Sequence, residues 1–414
     1  MSRVVVVGAG LAGLVAGVRL AQGGARTTVV ATGAGGLRLS PGTIDVLGYA
    51  PERVDETAPA LARLAADRPD HPYAALAPEP LGEALEWFRE ATAALDHRGE
   101  PGRNMLLATA AGVARPTALA PAAVAAGALR DGLRVLAVGL RSLKDFYPAF
   151  LADNLGRAEL PGGGAVTARA VEIDWSARPG WADVAGPVHA RALDDPAHRA
   201  MLARELRPLV EPGELVALPA VLGMARPLEA WSDLQDRLGA PVAEIPTIPP
   251  SSPGIRLHEC LVGLLRDAGG DLVLGPTAVG LEGTGRRATG VRVTAALRER
   301  TLPADAIVLA TGGFAAGGVT LDSHGALHEP VAGLPVAGAT ELSPRYLDEQ
   351  PLLRAGVAVD DLMRPLGSGG DAAWDNLHAA GDLVGGAEPW REKSGEGIAI
   401  AGAYRAASAI LEGS

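Results

Sequence analysis

Residues 4–30 read VVVVGAGLAGLVAGVRLAQGGARTTVV. Four valines run into Gly8, Gly10 and Gly13; an apolar periodic stretch follows over 11–23, and a second β-branched run over 27–31. An unbroken β-branched run fits a parallel strand buried on both faces. The glycines permit a tight turn and let main-chain N–H groups at a helix start approach a phosphate. Strand, Gly-rich turn, helix and strand together give G-x-G-x-x-G its meaning. The stretch therefore predicts a Rossmann-like start with a phosphate at Gly8, Gly10, Leu11, Ala12 and Gly13. The acid that usually follows the second strand to hold a ribose is missing, and Ala31 and Thr32 stand in its place.

The chain is 414 residues long, enough for a large core and two or three domains. Hydrophobic residues make up 48% and charged ones 21%, a globular balance. A net charge of −11 argues against a nucleic-acid partner, which needs a basic surface. A single cysteine, Cys260, excludes disulfide frameworks, zinc clusters and iron–sulfur ligation within this chain. No apolar run is long enough to cross a bilayer, so membrane contact is expected to be peripheral.

Two further segments repeat the strand-into-glycine pattern. DAIVLATGGFAAGG (305–318) carries an apolar strand into Ala310, Thr311, Gly312 and Gly313, small enough for close approach to a flavin's phosphate arm. NLHAAGDLVGG (376–386) ends a strand at Gly381 and Asp382, a carboxylate suited to a ribityl hydroxyl. The Gly-rich turn and helix of SGEGIAIAGAYRAA (394–407) follow, and the unpaired N–H groups of such a helix start favour negative charge on a reduced flavin. Between these ends lie the strand-like LRVLAVGL, AVTARAVEIDW and ELVALPAVLG, helical segments such as PAHRAMLARELRPLV, and the Pro-rich connection IPTIPPSSPG (245–254).

In that order the three segments resemble the two-dinucleotide-binding flavoproteins related to fumarate reductase. Stretches spread over nearly the whole chain narrow the resemblance to the B subunits of anaerobic glycerol-3-phosphate dehydrogenases. They are SPGTIDVLG, HPYAAL, LAVGLRSLKDF, ALPAVLG, PTIPPSSPGIRL, LATGGFAAGG, HEPVAGLPV and NLHAAGDLVGG. The resemblance implies an α/β fold with a glutathione-reductase-type flavin domain, here expected over 1–98 and 216–414, and an inserted second domain over 99–215. It implies oxidation of sn-glycerol 3-phosphate to dihydroxyacetone phosphate, with electrons passed to quinone. Two partner subunits are implied: a catalytic flavoprotein, and an iron–sulfur protein that ties the complex to the cytoplasmic side of the membrane. The cofactor implied is FMN, consistent with the absent acid at Ala31, with FAD as the alternative. The rival readings are a stand-alone flavin oxidoreductase and a flavin-free scaffold within a dehydrogenase complex.

By the same resemblance Ser40, Gly42, Thr43 and Asp45 run beside the isoalloxazine. Lys393 and Glu396, among Ser394, Gly395 and Gly397, depart from the family's glycine run and bear on redox tuning. Lys393 either contacts the flavin's pyrimidine edge or is solvated. Arg256 either grips an anion or forms a structural ion pair. His258, His324 and His328 are candidates for taking the substrate's hydroxyl proton, with capping or surface roles as the alternative. Cys260 is expected as a small core residue.

Overall fold

In the computed structural model, residues 2–76, 78–296 and 298–413 are described. They form two compact units: one of residues 1–36, 45–91 and 259–414, the other of residues 37–44 and 92–258. The strands of their main sheets are, in chain order, β1 (Arg3–Val7), β2 (Arg26–Ala31), β3 (Arg134–Leu140), β4 (Thr167–Ile173), β5 (Glu214–Pro219), β6 (Val242–Ile245), β7 (Asp271–Leu274), β8 (Ala306–Leu309) and β9 (Leu377–Ala379). The helices used below are α1 (Leu11–Gln22), α2 (Glu79–Ala91), α3 (Ser252–Asp267) and α4 (Gly395–Glu412).

The first unit is built on a five-stranded parallel sheet in the order β7-β2-β1-β8-β9. Counted within the sheet this is 3-2-1-4-5, a doubly wound order that reverses between β1 and β8. The valines of β1 sit at that reversal and are buried on both faces, as a central parallel strand requires. Burial of one such side chain contributes on the order of 1.5–3 kcal/mol. Small residues on α1 let it press onto the sheet: a Cβ on Gly17 would lie 2.7 Å from the Val29 side chain. On its other side α1 packs along α4, and α4 in turn carries α2, whose Leu81, Ala84, Leu85 and Phe88 are buried. An antiparallel meander over 277–303 completes the unit.

The second unit has its own four-stranded parallel sheet, ordered β6-β5-β3-β4. Leu136, Val138, Val216, Leu218 and Val242 of that sheet share one core with Leu151, Leu202 and Leu234 of neighbouring helices. This body extends past 215, where the sequence reading closes it, to His258. The physical reason is β6, whose residues 242–245 hydrogen-bond in register with 216–219 of β5.

Candidate functional site

The register of the first sheet decides where its loops go. Val7 pairs with Leu309, and Leu309 with Ala379, so three chains leave adjacent strands at the same carboxyl end. Those chains are the three Gly segments of the sequence. A topological switch point of this kind is where open α/β sheets bind ligands.

Gly8, at φ +113°, is held in a conformation that side chains resist, and a Cβ there would meet the Ala310 carbonyl oxygen at 2.1 Å. A Cβ on Gly13 would lie 1.9 Å from the Gly8 oxygen, and one on Gly313 2.8 Å from the Asp382 oxygen. Gly381, at φ +71°, would bring its Cβ to 2.9 Å from the Cβ of Ala12. Four glycines thus interlock the loops with one another.

Gly10 differs. Nothing lies within 4 Å of a Cβ built there, its φ of −76° is unstrained, and it caps α1 without a side-chain bond. The first N–H groups of α1, from Leu11 to Gly13, have no carbonyl within the helix to bond. Open space in front of free donors at the positive end of a helix fits a phosphate group.

Between the second and third of these glycine segments lies a chamber of about 320 Å³, lined among others by Gly313, Phe314, Asp382, Pro389, Trp390 and Ile398. Its size suits a small-molecule site. Asp382 is solvent-accessible but recessed among protein atoms, and burial raises its pKa above the ordinary carboxylate range. The Trp390 indole N–H and the Thr311 hydroxyl, in the adjoining turn, are buried without partners. Unanswered donors and a carboxylate around an apolar chamber, next to a phosphate-ready turn, fit a flavin with its ribityl and phosphate arm.

The helix that closes the site is less free than its sequence indicates. The Gly397 N–H donates to the Asp45 carbonyl at 2.9 Å, and a Cβ on Gly397 would lie 2.4 Å from the Tyr73 hydroxyl. That glycine makes room for protein rather than for a cofactor. Gly395 sits against Pro389, with 3.1 Å left for a Cβ. The Tyr73 hydroxyl donates to the Val46 carbonyl at 2.6 Å. Burial, then the negative charges of Glu392, Glu396 and Asp45, raise its pKa well above the usual value, so it stays a donor. Glu392 accepts from Ser394 at 2.9 Å and pairs with His71 at 3.1 Å. Burial pushes the Glu392 pKa up, but these hydrogen bonds outweigh it and the carboxyl sits below its ordinary value. Two acids, Glu392 and Glu396, therefore flank the start of α4 and offset part of its positive field.

Lys393, at φ +52°, ends the short helix Pro389–Glu392 and donates to the Trp390 carbonyl. It lines a larger recess of about 940 Å³, which shares Trp390 with the chamber. His328 is half-exposed and pairs with Asp322 at 2.9 Å on a two-stranded hairpin, a surface role. The His324 N–H donates to the same carboxylate. Backbone N–H donation from Ala326, then the His328 hydrogen bond, hold the Asp322 pKa at about 2.

Arg256, Ser40, Gly42, Thr43 and His258 belong to the second unit. Arg256 is buried and forked across Glu244, Nη1 to Oε2 at 2.7 Å and Nη2 to Oε1 at 2.9 Å, while its Nε donates to the Gly223 carbonyl. The Leu222 N–H also donates to Glu244. Arg256 is thus a structural ion pair, the second of its two readings. Ser40 accepts from the Gly42 N–H, Gly42 (φ +73°) packs on Pro253, and Thr43 accepts from Arg115 at 3.2 Å. His258 is different: buried, with neither ring nitrogen hydrogen-bonded. Burial, then the Arg38 charge, lowers its pKa, which leaves a neutral imidazole at pH 7. Cys260 is half-buried, and burial raises its thiol pKa.

Sequence reasoning missed Trp390, Tyr73 and Glu244. The signal for the last was a lone acid inside the apolar VAEI strand, which demands a buried cation. Among the described residues no His, Cys, Asp and Glu group could hold a metal ion, and no helix is long and apolar enough to cross a membrane.

The FAD binding domain family matches residues 3–398 of this chain. The B subunit of a probable anaerobic glycerol-3-phosphate dehydrogenase of Halobacterium salinarum is 32% identical, over 99% of this chain and 98% of its own. The B subunit of the anaerobic glycerol-3-phosphate dehydrogenase of Yersinia pestis is 31% identical, over 99% and 97%. Among solved structures, a 3-ketosteroid Δ1-dehydrogenase of Sterolibacterium denitrificans aligns over 100% of both chains at 12% identity and a TM-score of 0.48. The family match makes the cofactor a flavin and points to FAD where the missing acid had favoured FMN.

Proposed function

The chain belongs to the FAD binding domain family and, within it, to the B subunits of anaerobic glycerol-3-phosphate dehydrogenases, and from that premise we propose that it carries FAD in a complex that oxidises sn-glycerol 3-phosphate. The product is dihydroxyacetone phosphate. The electrons go on to quinone through two partners, a catalytic flavoprotein and an iron–sulfur protein, at the cytoplasmic face of the membrane. The observation that carries the reading is the open Gly10 beside the four interlocked glycines at the switch point of the parallel sheet.

A bound flavin supplies the acceptor for the hydride that leaves C2 of the alcohol. This chain's residues do the holding. The N–H groups of Leu11, Ala12 and Gly13 would meet the diphosphate, and Asp382 a ribityl hydroxyl. Ala310 to Gly313 keep the wall thin beside them. Thr32, exposed at the end of β2, offers a hydroxyl where most relatives of this fold place an acid for the ribose. The acids flanking α4 disfavour added negative charge there, which would make a reduced flavin harder to form and harder to keep. In the second unit His258, neutral and unbonded, is the group with capacity to take a proton.

Mass spectrometry of the flavin released on denaturation tests this. FAD in a ratio near one per chain is the expected result. A colourless protein that takes up neither FAD nor FMN overturns the reading in favour of a flavin-free scaffold.

A further inference from the structure

The second unit carries a hollow of about 410 Å³, lined by Ala200, Ala203, Arg204, Arg207, Pro208 and Arg237. Three of its six residues are arginines and none is an acid. On a chain of net charge −11 that lining is a local reversal of sign. The volume is in the range of small-molecule sites.

Helical spacing builds the hollow. Residues 200, 203, 204 and 207 fall at i, i+3, i+4 and i+7 along the helix Pro196–Leu206 and the 3-10 turn Arg207–Leu209 that continues it. They therefore share one stripe. The small side chains of Ala200 and Ala203 keep the floor low between the arginines. Glu205 stands about 100° round the helix from Arg204, off that stripe. The opposite wall is the end of the helix Pro227–Leu238, which packs against the first.

The acids nearest the hollow are already shared. Arg237 Nε donates to Asp233 at 2.9 Å, but the other oxygen of that carboxylate is held by the buried Arg199. Glu229 is divided in the same way between Arg199 and Arg226. Two carboxylates thus answer three guanidinium groups, with Arg204 and Arg207 left over. Arg207 gives one nitrogen, Nη2, to the Arg237 carbonyl and so caps the negative end of that helix. Among the described residues the exposed Arg204 guanidinium meets no acid. A guanidinium offers its N–H groups in pairs, a fork that matches two oxygens of a phosphate. Three forks around one hollow exceed what a single carboxylate can satisfy.

We propose that this hollow is a binding site for a phosphate group, with Arg204, Arg207 and Arg237 on its oxygens and the alanine floor beneath the carbon that carries it. Two sources supply that chemistry, a soluble phosphate ester and the headgroup of an anionic lipid, and the test separates them. The inference stands apart from the flavin reading, since every residue it uses lies in the second unit.

The full-length flavin-loaded chain is titrated by calorimetry with inorganic phosphate, chloride holding the ionic strength constant. It is also sedimented with vesicles of phosphatidylglycerol in phosphatidylcholine. The comparison is with Arg204→Glu and with Arg204→Gln/Arg207→Gln. These side chains are exposed and pair with no acid, so both variants should melt as wild type does. The expected result is that each variant binds inorganic phosphate at least ~10-fold more weakly, about 1.4 kcal/mol. Loss of phosphate binding alone assigns the site to a soluble ester. Loss of vesicle binding, with or without loss of phosphate, assigns it to a lipid headgroup. A wild type that binds neither probe overturns the site. So does binding of equal strength in wild type and variants, which puts the anion elsewhere on the chain.

Discussion

Arg256 and Glu244 lie twelve residues apart in sequence and face each other as a forked, fully buried ion pair in the second unit. Removing one partner strands the other charge away from water. Arg256→Ala should cost about 3–5 kcal/mol of stability. Replacing both residues by Met should cost far less, because no charge is then left buried. Urea unfolding of the three proteins checks this. Wild-type turnover per folded molecule in Arg256→Ala confirms that the guanidinium holds structure; a stable but inactive variant would return it to the site.

Gly8 and Gly10 separate fold from ligand. Gly8→Ala forces a Cβ into the Ala310 carbonyl at a positive φ, so the protein should lose stability even without flavin. At Gly10 a Cβ meets no protein atom within 4 Å and the φ is allowed, so in Gly10→Val the apoprotein should melt near wild type while flavin binding falls at least ~100-fold, about 2.7 kcal/mol. Flavin retained on a desalting column and the apoprotein melting temperature give the two readouts. Full flavin retention in Gly10→Val would move the phosphate elsewhere.

Asp382 links stability to pH. Its folded pKa is raised by burial, so the stability tied to its protonated form is fully present below the unfolded value of 3.8 and is lost as pH rises through the folded pKa. At neutral pH the ionised carboxylate therefore strains the apoprotein. Asp382→Asn should raise the apoprotein melting temperature at pH 7, with the gain fading toward pH 3, and should weaken flavin binding. A variant that melts lower at pH 7 but not at pH 3 would mean that the carboxylate has a stabilising partner when ionised.

His328 and His258 should behave oppositely. His328→Ala breaks an exposed pair and should leave turnover within about twofold of wild type, since such pairs are worth little. Asp322 contributes stability that is present above pH 3.8 and lost as pH falls through the folded value of about 2, so the contribution disappears only in acid. His258→Leu removes two unbonded nitrogens from a buried site and should not destabilise the protein. If His258 takes the proton, the same change should abolish the lower limb of the pH–rate profile; an unchanged profile removes it from the chemistry.

The fold is readable where local sequence states the geometry. A valine run into a glycine turn can be little else, and three such turns define the sheet and its switch point. What is not readable depends on pairing across distance. Nothing local says that Val242–Ile245 joins Val216–Pro219, so sequence alone closes the second unit too early. Nothing near Arg256 names Glu244 as its partner. Gly397 misleads for the opposite reason: a glycine at a helix start serves a ligand or a neighbouring side chain equally well, and only the Tyr73 hydroxyl beneath it decides.

The strand order of the flavin-binding sheet also sets a timetable. β1 lies between β2 and β8, and β9 comes more than 370 residues after β1 begins. A ribosome that has delivered residue 258 has delivered all of the second unit, whose parallel sheet can close while synthesis continues. The first unit must wait longer: β1 and β2 gain their outer neighbours β8 and β7 only with residues 271–309, and β8 lacks its second neighbour until β9 is made. Flavin loading therefore follows synthesis of β9 and α4. A product stopped before residue 376 should carry a folded second unit, no bound flavin, and one apolar strand, β8, with an open edge in need of a chaperone.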